Sequence, residues 1–507
     1  MNERAIQPST TSAPTTDALL ALSNQMRADR ATIARLRSEA AELRQTLREV
    51  EPLRHSGLAL GLIRSIEGAQ RRFGRANHIG RQVARWAANG TLREQFGFWR
   101  AYRATRLKRI ADGPEGAEPP AEHSRDRPLA PVALVLDYQI PRPDRDAGSM
   151  YMIDLLDRLL RRGFSVHFAI EDEFEGDEPY RDSLRTMGVQ INDASSGTDA
   201  ARLIERLGED LALCILTRVY GGGRHAEKVI DHCPAARVVF NTIDLHFVRV
   251  ERQNALAPTE ETALIARQTR DRECRIVALS DATIVVSTAE KEILADILPL
   301  SRVSVVPLIA GGDPVDTVPP FGERHHVGFV GGFRHQPNVD AVNYFLDRIW
   351  PLVREQVPEA KFEIVGADLP QNLINRTGKD GVRYLGHVRD LTGWLHTLRM
   401  TVAPLRFGAG AKGKVISSLA AGVPCVLTSV AAEGMGLHSN EALVADEPAE
   451  FAARIAELYH DPELWSALSE AGLANTRGAK DRADQAFDEL LLGLGFSNNY
   501  ALSGAHP

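Results

Sequence analysis

Cysteine is scarce in this sequence of 507 residues. Its four cysteines, Cys214, Cys233, Cys274 and Cys425, are scattered, with no C-x-x-C and no clustered histidine. That excludes a disulfide framework and a zinc site of ordinary spacing, and a reducing compartment fits. The N-terminal MNERAIQPSTTSAPTT has no apolar core, so no secretory signal is expected. The longest apolar run near it, Gly57 to Ile63, is too short to span a bilayer. Two phosphate-binding signatures are missing as well. The glycine-rich turn at 408–413 is neither G-x-G-x-x-G nor a P-loop, because no Gly-Lys-Ser/Thr occurs there. What remains is an ordinary soluble composition, 44% hydrophobic and 25% charged, long enough for two or three domains.

The net charge of −7 hides an asymmetry. From Pro52 to Ile110 there are 13 Arg and Lys against two acids, Glu67 and Glu94. This basic arm carries +11 and leaves −18 for the rest. Such an imbalance speaks to partners, not to fold.

Taken in order, residues 1–16 are rich in Ser, Thr and Pro and read as disordered. Residues 17–51 read as a coiled coil. An unbroken 4-3 seam runs Leu22, Met26, Asp29, Ile33, Leu36, Ala40, Leu43, Leu47, Val50. The plain alternative is a helix packed on its own globular body. Self-association into a homo-oligomer through 22–50 is the better expectation, since no other local apolar face would cover the seam. Residues 52–111 read as a basic amphipathic helical segment with Trp86, Phe96, Phe98, Trp99 and Tyr102 interleaved. An anionic membrane surface is the first reading, at about 1 kcal/mol per Lys or Arg near the headgroups. A solvated arm comes second. Nucleic acid comes last, because no nucleic-acid module signature accompanies the charge. Residues 112–130 form a Pro/Glu-rich linker.

A regular alternation follows. Apolar strands are expected at Val132 to Asp137, Phe164 to Ile170, Cys214 to Thr217, Arg237 to Phe240, Ala282 to Val286 and Val303 to Val306. The first helix is placed at Met150 to Leu160. After Gly311-Gly312-Asp313-Pro314 the alternation restarts. Strands are then placed at His326 to Val330, Lys361 to Val365, Val382 to Leu385, Thr401 to Ala403 and Val426 to Leu427. Buried strands separated by helices of 10–15 residues make parallel sheets covered on both faces. The fold class is therefore α/β, with two Rossmann-like domains, 131–314 and 315–490, facing a cleft, and a tail at 491–507. Ligands in such sheets sit at the C-terminal ends of the strands. In the first domain the turns there are Asp144 to Ser149, Gly221-Gly222-Gly223 and Asp244-Leu245-His246.

The stretch with the most chemistry is Thr401 to Gly436. A strand leads into a turn holding Gly408, Gly410 and Gly413, set among Arg406, Lys412 and Lys414. A helix is expected at Val415 to Ala421, and Gly422-Val423-Pro424 stops it. Glycines let a backbone approach a phosphate, a helix N-terminus offers free N–H groups, and lysines add charge. A strand–helix turn with solvated lysines has the same local pattern.

Several stretches together make the second domain resemble the donor-binding domain of glycosyltransferase family 4, the group 1 glycosyltransferases of the GT-B fold. They are Phe329-Val330-Gly331-Gly332-Phe333-Arg334-His335-Gln336-Pro337-Asn338, Pro404 to Val415 with Leu419 to Pro424, and Ala432-Glu433-Gly434-Met435. In the first domain, Pro143 to Ser149 and Asp244-Leu245-His246-Phe247 are similar to the acceptor half of this branch. The resemblance covers about residues 131–490. In one respect the sequence departs from the family. Many members carry two glutamates eight positions apart around the donor loop, the later one meeting the ribose. Here those positions are Ala409 and Ser417.

The resemblance implies a donor site. Arg334, Lys412 and Lys414 are candidates for the diphosphate, where positive charge stabilises the leaving group. Arg406, Gly331, Gly332, Gly408, Gly410 and Gly413 would shape the loops, with Asn338, Ser417 and Glu433 as further donor contacts. Ser417 would bond a hydroxyl, and Glu433 would meet sugar or ribose hydroxyls or cap a helix. Asp244 and His246 are acceptor-side or donor-sugar candidates with possible catalytic roles, against a structural histidine. Asp146 and Gly148 lie on the acceptor side. Asp144-x-Asp146 imitates a metal-binding D-x-D, but helix N-capping by Asp146 or Ser149 explains it better. The resemblance implies no metal and no cofactor, the nucleotide sugar being a substrate.

The implied activity is a retaining glycosyltransferase. It would move a sugar from a nucleotide-sugar donor to a cell-surface polysaccharide or a lipid-linked glycan. The expected location is cytoplasmic, peripheral on the inner membrane face. Two rivals stand beside this reading. One is a catalytically silent GT-B scaffold working through its coiled coil; the other is a nucleotide-sugar epimerase.

Overall fold

The computed structural model describes residues 130–496 apart from 171, 173–175, 193–198 and 310–313. The coiled coil, the basic segment, most of the linker, the 311–313 glycine joint and most of the tail lie outside the described residues. The described residues belong to one compact unit. Its described part is built on two parallel sheets.

The first sheet takes its strands in the order β3-β2-β1-β4-β5-β6-β7. They are β1 (Val132–Asp137), β2 (Ser165–Ile170), β3 (Gln190–Asn192), β4 (Leu211–Thr217), β5 (Arg237–Asn241), β6 (Ala282–Val285) and β7 (Val303–Val305). The near-continuous apolar runs VALVLD and LALCILT are buried on both faces, as parallel strands require. Tyr151, Met152, Leu155, Leu156 and Leu159 put one stripe of the helix Ala147–Arg161 onto this sheet.

The second sheet follows the order β10-β9-β8-β11-β12-β13. Its strands are β8 (His326–Val330), β9 (Phe362–Val365), β10 (Val382–Gly386), β11 (Leu398–Ala403), β12 (Cys425–Leu427) and β13 (Leu443–Val444). Its core joins Phe329, Phe345, Phe362 and Phe451. Both sheets reverse winding beside their first strand, between β1 and β4 and between β8 and β11. The crevice outside the strand ends at such a reversal is where open α/β sheets hold ligands. The loops leaving β8 and β11 are the two glycine turns singled out from sequence.

Three helices begin earlier than the sequence pattern places them. The helix expected at Met150 starts at Ala147, the one at Val415 starts at Gly413, and the helix whose apolar run begins at Val339 starts at Gln336. Hydrophobic periodicity does not register the glycine and polar residues that fill these first turns. Asp146 accepts the Ser149 N–H, and Pro337 suits the first turn. Gly148, Gly413 and Lys414 are thus residues of first helical turns. The last helix, Ala479–Gly493, follows the second domain in the chain, yet it closes on the first. Ala483, Phe487, Leu490 and Leu491 join the core of the first sheet. Arg162 Nε meets Asp488 at 2.5 Å beside them. All four cysteines are free and buried. Among the described residues no helix is long and apolar enough to cross a membrane.

Candidate functional site

On the second domain the site is built from two turns that lock each other. Asn338, buried in the first turn of its helix, donates from Nδ2 to the Gly332 carbonyl at 2.8 Å. A Cβ at Gly331 would lie 2.7 Å from that same nitrogen, so only glycine fits there. The Asn338 Oδ1 accepts from Lys414 Nζ at 2.8 Å, which ties the β8 turn to the β11 turn. Lys414 also lies 5.4 Å from the Phe329 ring centre. Burial and the neighbouring Lys412 lower its amine to about 7. Lys412 stands at the N-cap of the helix Gly413–Ala420 and is itself buried. Its Nζ donates to the Gly410 carbonyl and its backbone N–H to Met435 Sδ. Burial lowers the Lys412 amine to about 8, against the pull of Glu290 and Glu433. Two amines of weakened basicity at a helix N-terminus suit a strongly anionic ligand.

The first domain supplies the opposite wall. Asp244 follows Ile243, whose φ of 61° is an outlier for a β-branched residue and fixes the direction of the turn. The Asp244 carboxylate lies 2.9 Å from Arg249 Nε and 3.1 Å from His246 Nδ1. Burial opposes its ionisation, but Arg249 and His246 hold it well below the usual carboxylate range. Burial likewise opposes charge on His246, yet Asp244 raises it above its ordinary value. The helix His246–Leu256 has no N-cap side chain of its own. Glu273, fully buried on the helix Glu260–Leu279, takes that role. It accepts the His246 N–H at 3.2 Å and the Phe247 N–H at 2.9 Å. Glu290 accepts the Leu245 N–H at 2.8 Å. Burial raises both carboxyls to about 7.

The two walls touch directly. A Cβ at Gly410, where φ is +68°, would lie 3.0 Å from Asp244 Cβ and 3.0 Å from the Ile243 carbonyl. At Gly332 the nearest atom to such a Cβ is the Arg145 carbonyl at 3.7 Å, and at Gly434 it is Ser287 Cβ at 2.6 Å. Arg252 reaches from the first domain to Glu433 (2.5 and 2.7 Å) and to the Gly408 carbonyl (2.8 Å). Gly410 is therefore the contact point of the loop with the other domain, not only a gap for phosphate. Gly410→Ala meets both a strained, left-handed φ and a crowded neighbour. We expect it to lower stability by at least about 1–2 kcal/mol. Urea denaturation checks this; a loss within experimental error would show that the domains do not press on that glycine.

The structure brings together Asp244, His246, Gly331, Gly332, Asn338, Gly408, Gly410, Lys412, Gly413, Lys414 and Glu433 around this cleft. Ser417 is buried one turn into the same helix. Others go elsewhere. Arg406 forms a fork on Asp340, with Nε to Oδ2 at 2.9 Å, and lies over the Tyr344 ring. Arg334 is 70% exposed and paired with Asp368 at 2.8 Å. Asp146 accepts from both the N–H and Oγ of Ser149 at 2.8 Å, the N-cap expected of it. A Cβ at Gly148 would lie 2.8 Å from an Arg218 nitrogen. Arg252, Glu273 and Glu290 were not singled out from sequence. No motif marks them, because each acts on a partner distant in the chain or on backbone N–H groups.

Residues 324–461 match the family model described as glycosyl transferases group 1. No curated protein matches the chain by sequence. Among solved structures, S. aureus TarM is similar at 11% identity and a TM-score of 0.46. The match covers 58% of this chain and 58% of TarM, so this chain spans less than two thirds of that protein. The sucrose-phosphate synthase of Thermosynechococcus elongatus is similar at 16% identity and a TM-score of 0.54, over 72% of this chain and 99% of that one. Anabaena HepE, described in complex with UDP-glucose, is similar at 12% identity and a TM-score of 0.52, over 71% and 98%. Those last two likenesses concern the fold, two facing Rossmann-like domains of GT-B type. The likeness to the group 1 glycosyltransferases by sequence is thus carried by residues 324–461, within the second domain.

Proposed function

We propose that the chain transfers a sugar from a nucleotide-sugar donor to a glycan acceptor, with retention of configuration. The acceptor class we favour is a cell-surface polysaccharide or a lipid-linked glycan, met at the inner face of a membrane. The observation that carries the reading is the pair Lys412 and Lys414. Both sit at the start of the helix Gly413–Ala420, beside the reversal of the second sheet. Departure of a nucleoside diphosphate needs positive charge at that point, which the two lysines would supply. UDP-glucose, the ligand in the HepE structure, is an example of the donor class. Asp244 and His246 then face the sugar or the acceptor, and Glu433 the sugar or ribose hydroxyls. The coiled coil at 22–50 would pair copies of the chain, and the basic segment 52–110 would hold them at an anionic surface.

A panel of nucleotide sugars tests the proposal, by thermal shift and then by release of nucleoside diphosphate with and without acceptor. Stabilisation by one donor and acceptor-dependent release are expected. A second reading, a silent GT-B scaffold, is favoured by Ser417 standing where many members of the resembled family carry a carboxylate. No binding and no release across the whole panel would select it. Epimerised free sugar without acceptor would point to an epimerase.

A further inference from the structure

Arg252 belongs to the first domain by sequence and helix, but its guanidinium is spent on the second. Its two terminal nitrogens grip both oxygens of Glu433, and one of them also donates to the Gly408 carbonyl. The pair is about one-third exposed, with side-chain exposures of 29% and 34%. An ion pair that wet gives little net stability, so holding the domains together is a poor explanation for it. Its position explains more. The fork stands at the lip of the glycine loop, and Glu433 and Lys412 attract each other there. Glu433 is itself anchored, because the next residue, Gly434, lies against Ser287 of the first domain. A planar guanidinium held by two carboxylate oxygens is in the geometry in which it takes two phosphate oxygens.

We propose that Arg252 is a donor-site residue supplied by the first domain, gripping the terminal phosphate of the nucleoside diphosphate in place of Glu433. This rests on the reading that the 408–413 loop binds a nucleoside diphosphate. The positive charge at the leaving group then comes from both domains: Lys412 and Lys414 from one side, Arg252 from the other. Glu433 competes with the phosphate for the guanidinium and sets how firmly the diphosphate is held. The site discriminates diphosphate from monophosphate only when the domains meet.

The test uses the full chain and calorimetric titration with UDP, GDP and ADP, each beside its monophosphate. The quantity read is the ratio of monophosphate to diphosphate Kd for the base that binds tightest. A ribose contact or a general loosening of the fold moves both constants and leaves the ratio alone. Arg252→Gln is expected to lower the ratio at least tenfold, and Arg252→Lys to restore part of it. Glu433→Gln, which frees the fork, is expected to raise the ratio severalfold. A ratio unmoved in Arg252→Gln overturns the inference, as does a ratio that falls in Glu433→Gln. Binding of no nucleotide by the wild-type chain would overturn the donor-site reading and this inference with it. Wild-type binding with an unmoved ratio overturns this inference alone.

Discussion

Lys412→Ala is expected to weaken nucleoside diphosphate binding at least tenfold and to lower the transfer rate by about 10²–10³-fold. The larger effect on rate follows from where the charge develops. The diphosphate gains negative charge as the glycosidic bond breaks, so a preorganised amine helps the transition state more than the bound donor. Lys412 is preorganised in three ways. It is buried, its Nζ is fixed on the Gly410 carbonyl, and its N–H is fixed on Met435. Lys414→Ala should act in the same direction and also loosen Asn338, its partner at 2.8 Å. Arg334→Ala is the internal control. At 70% exposure and already paired with Asp368, it should change binding less than twofold. The same lysines give the pH dependence a sign. Their amines lie at about 8 and about 7, so they lose protons as pH rises through that range. Diphosphate affinity should therefore fall between pH 7 and 9, with proton uptake on binding throughout that window. Titration in buffers of different ionisation enthalpy reads the uptake. An affinity that rises with pH, or a Lys412→Ala variant that binds normally, would remove the lysines from the donor site.

The two glycine turns were legible in the sequence because their signals are local. A buried apolar run, a glycine cluster and a helix of small residues each declare themselves within a dozen positions. The topology that places them side by side follows from the parallel order of the strands. The assignment of basic residues was less legible. Arg406 and Arg334 stand in the same turns as Lys412 and look equivalent in sequence. Arg406, however, finds Asp340, 66 positions earlier, and Arg334 finds Asp368. Burial separates them from the lysines, and burial of a loop side chain depends on the facing domain. Arg252 was illegible for the same reason, since its partner Glu433 is 181 residues away. The helix starts lie two or three residues before the apolar pattern begins, because the first turns hold glycine and polar residues outside that pattern.

Glu273 yields the second large effect, and its size depends on pH in a direction that can be worked out. Truncation to alanine leaves the buried Phe247 N–H without an acceptor and exposes the His246 N–H to whatever water reaches it. One orphaned buried donor costs about 1–3 kcal/mol, and the second adds to that. Against this stands the cost of the native carboxylate. Burial raises Glu273 to about 7 from an ordinary 4.5, so the folded state holds its proton more tightly than the unfolded chain does. Its contribution to stability is then greatest at or below pH 4.5 and declines as pH rises to about 7. The decline is worth about 3 kcal/mol as an order of magnitude. Alanine removes both the bonds and the penalty. We expect Glu273→Ala to destabilise by about 3 kcal/mol at pH 5 and by little at pH 8. Urea midpoints across that range check the slope; a variant whose deficit grows with pH would show that the carboxylate is comfortably ionised. Function should not recover with stability. His246, Arg249 and Arg252 all lie on the helix that Glu273 caps, at positions one, four and seven of its eleven residues. Without a fixed N-terminus that helix cannot hold three side chains toward one cleft. Glu273→Ala should therefore bind nucleoside diphosphate poorly even at pH 8, where it is folded.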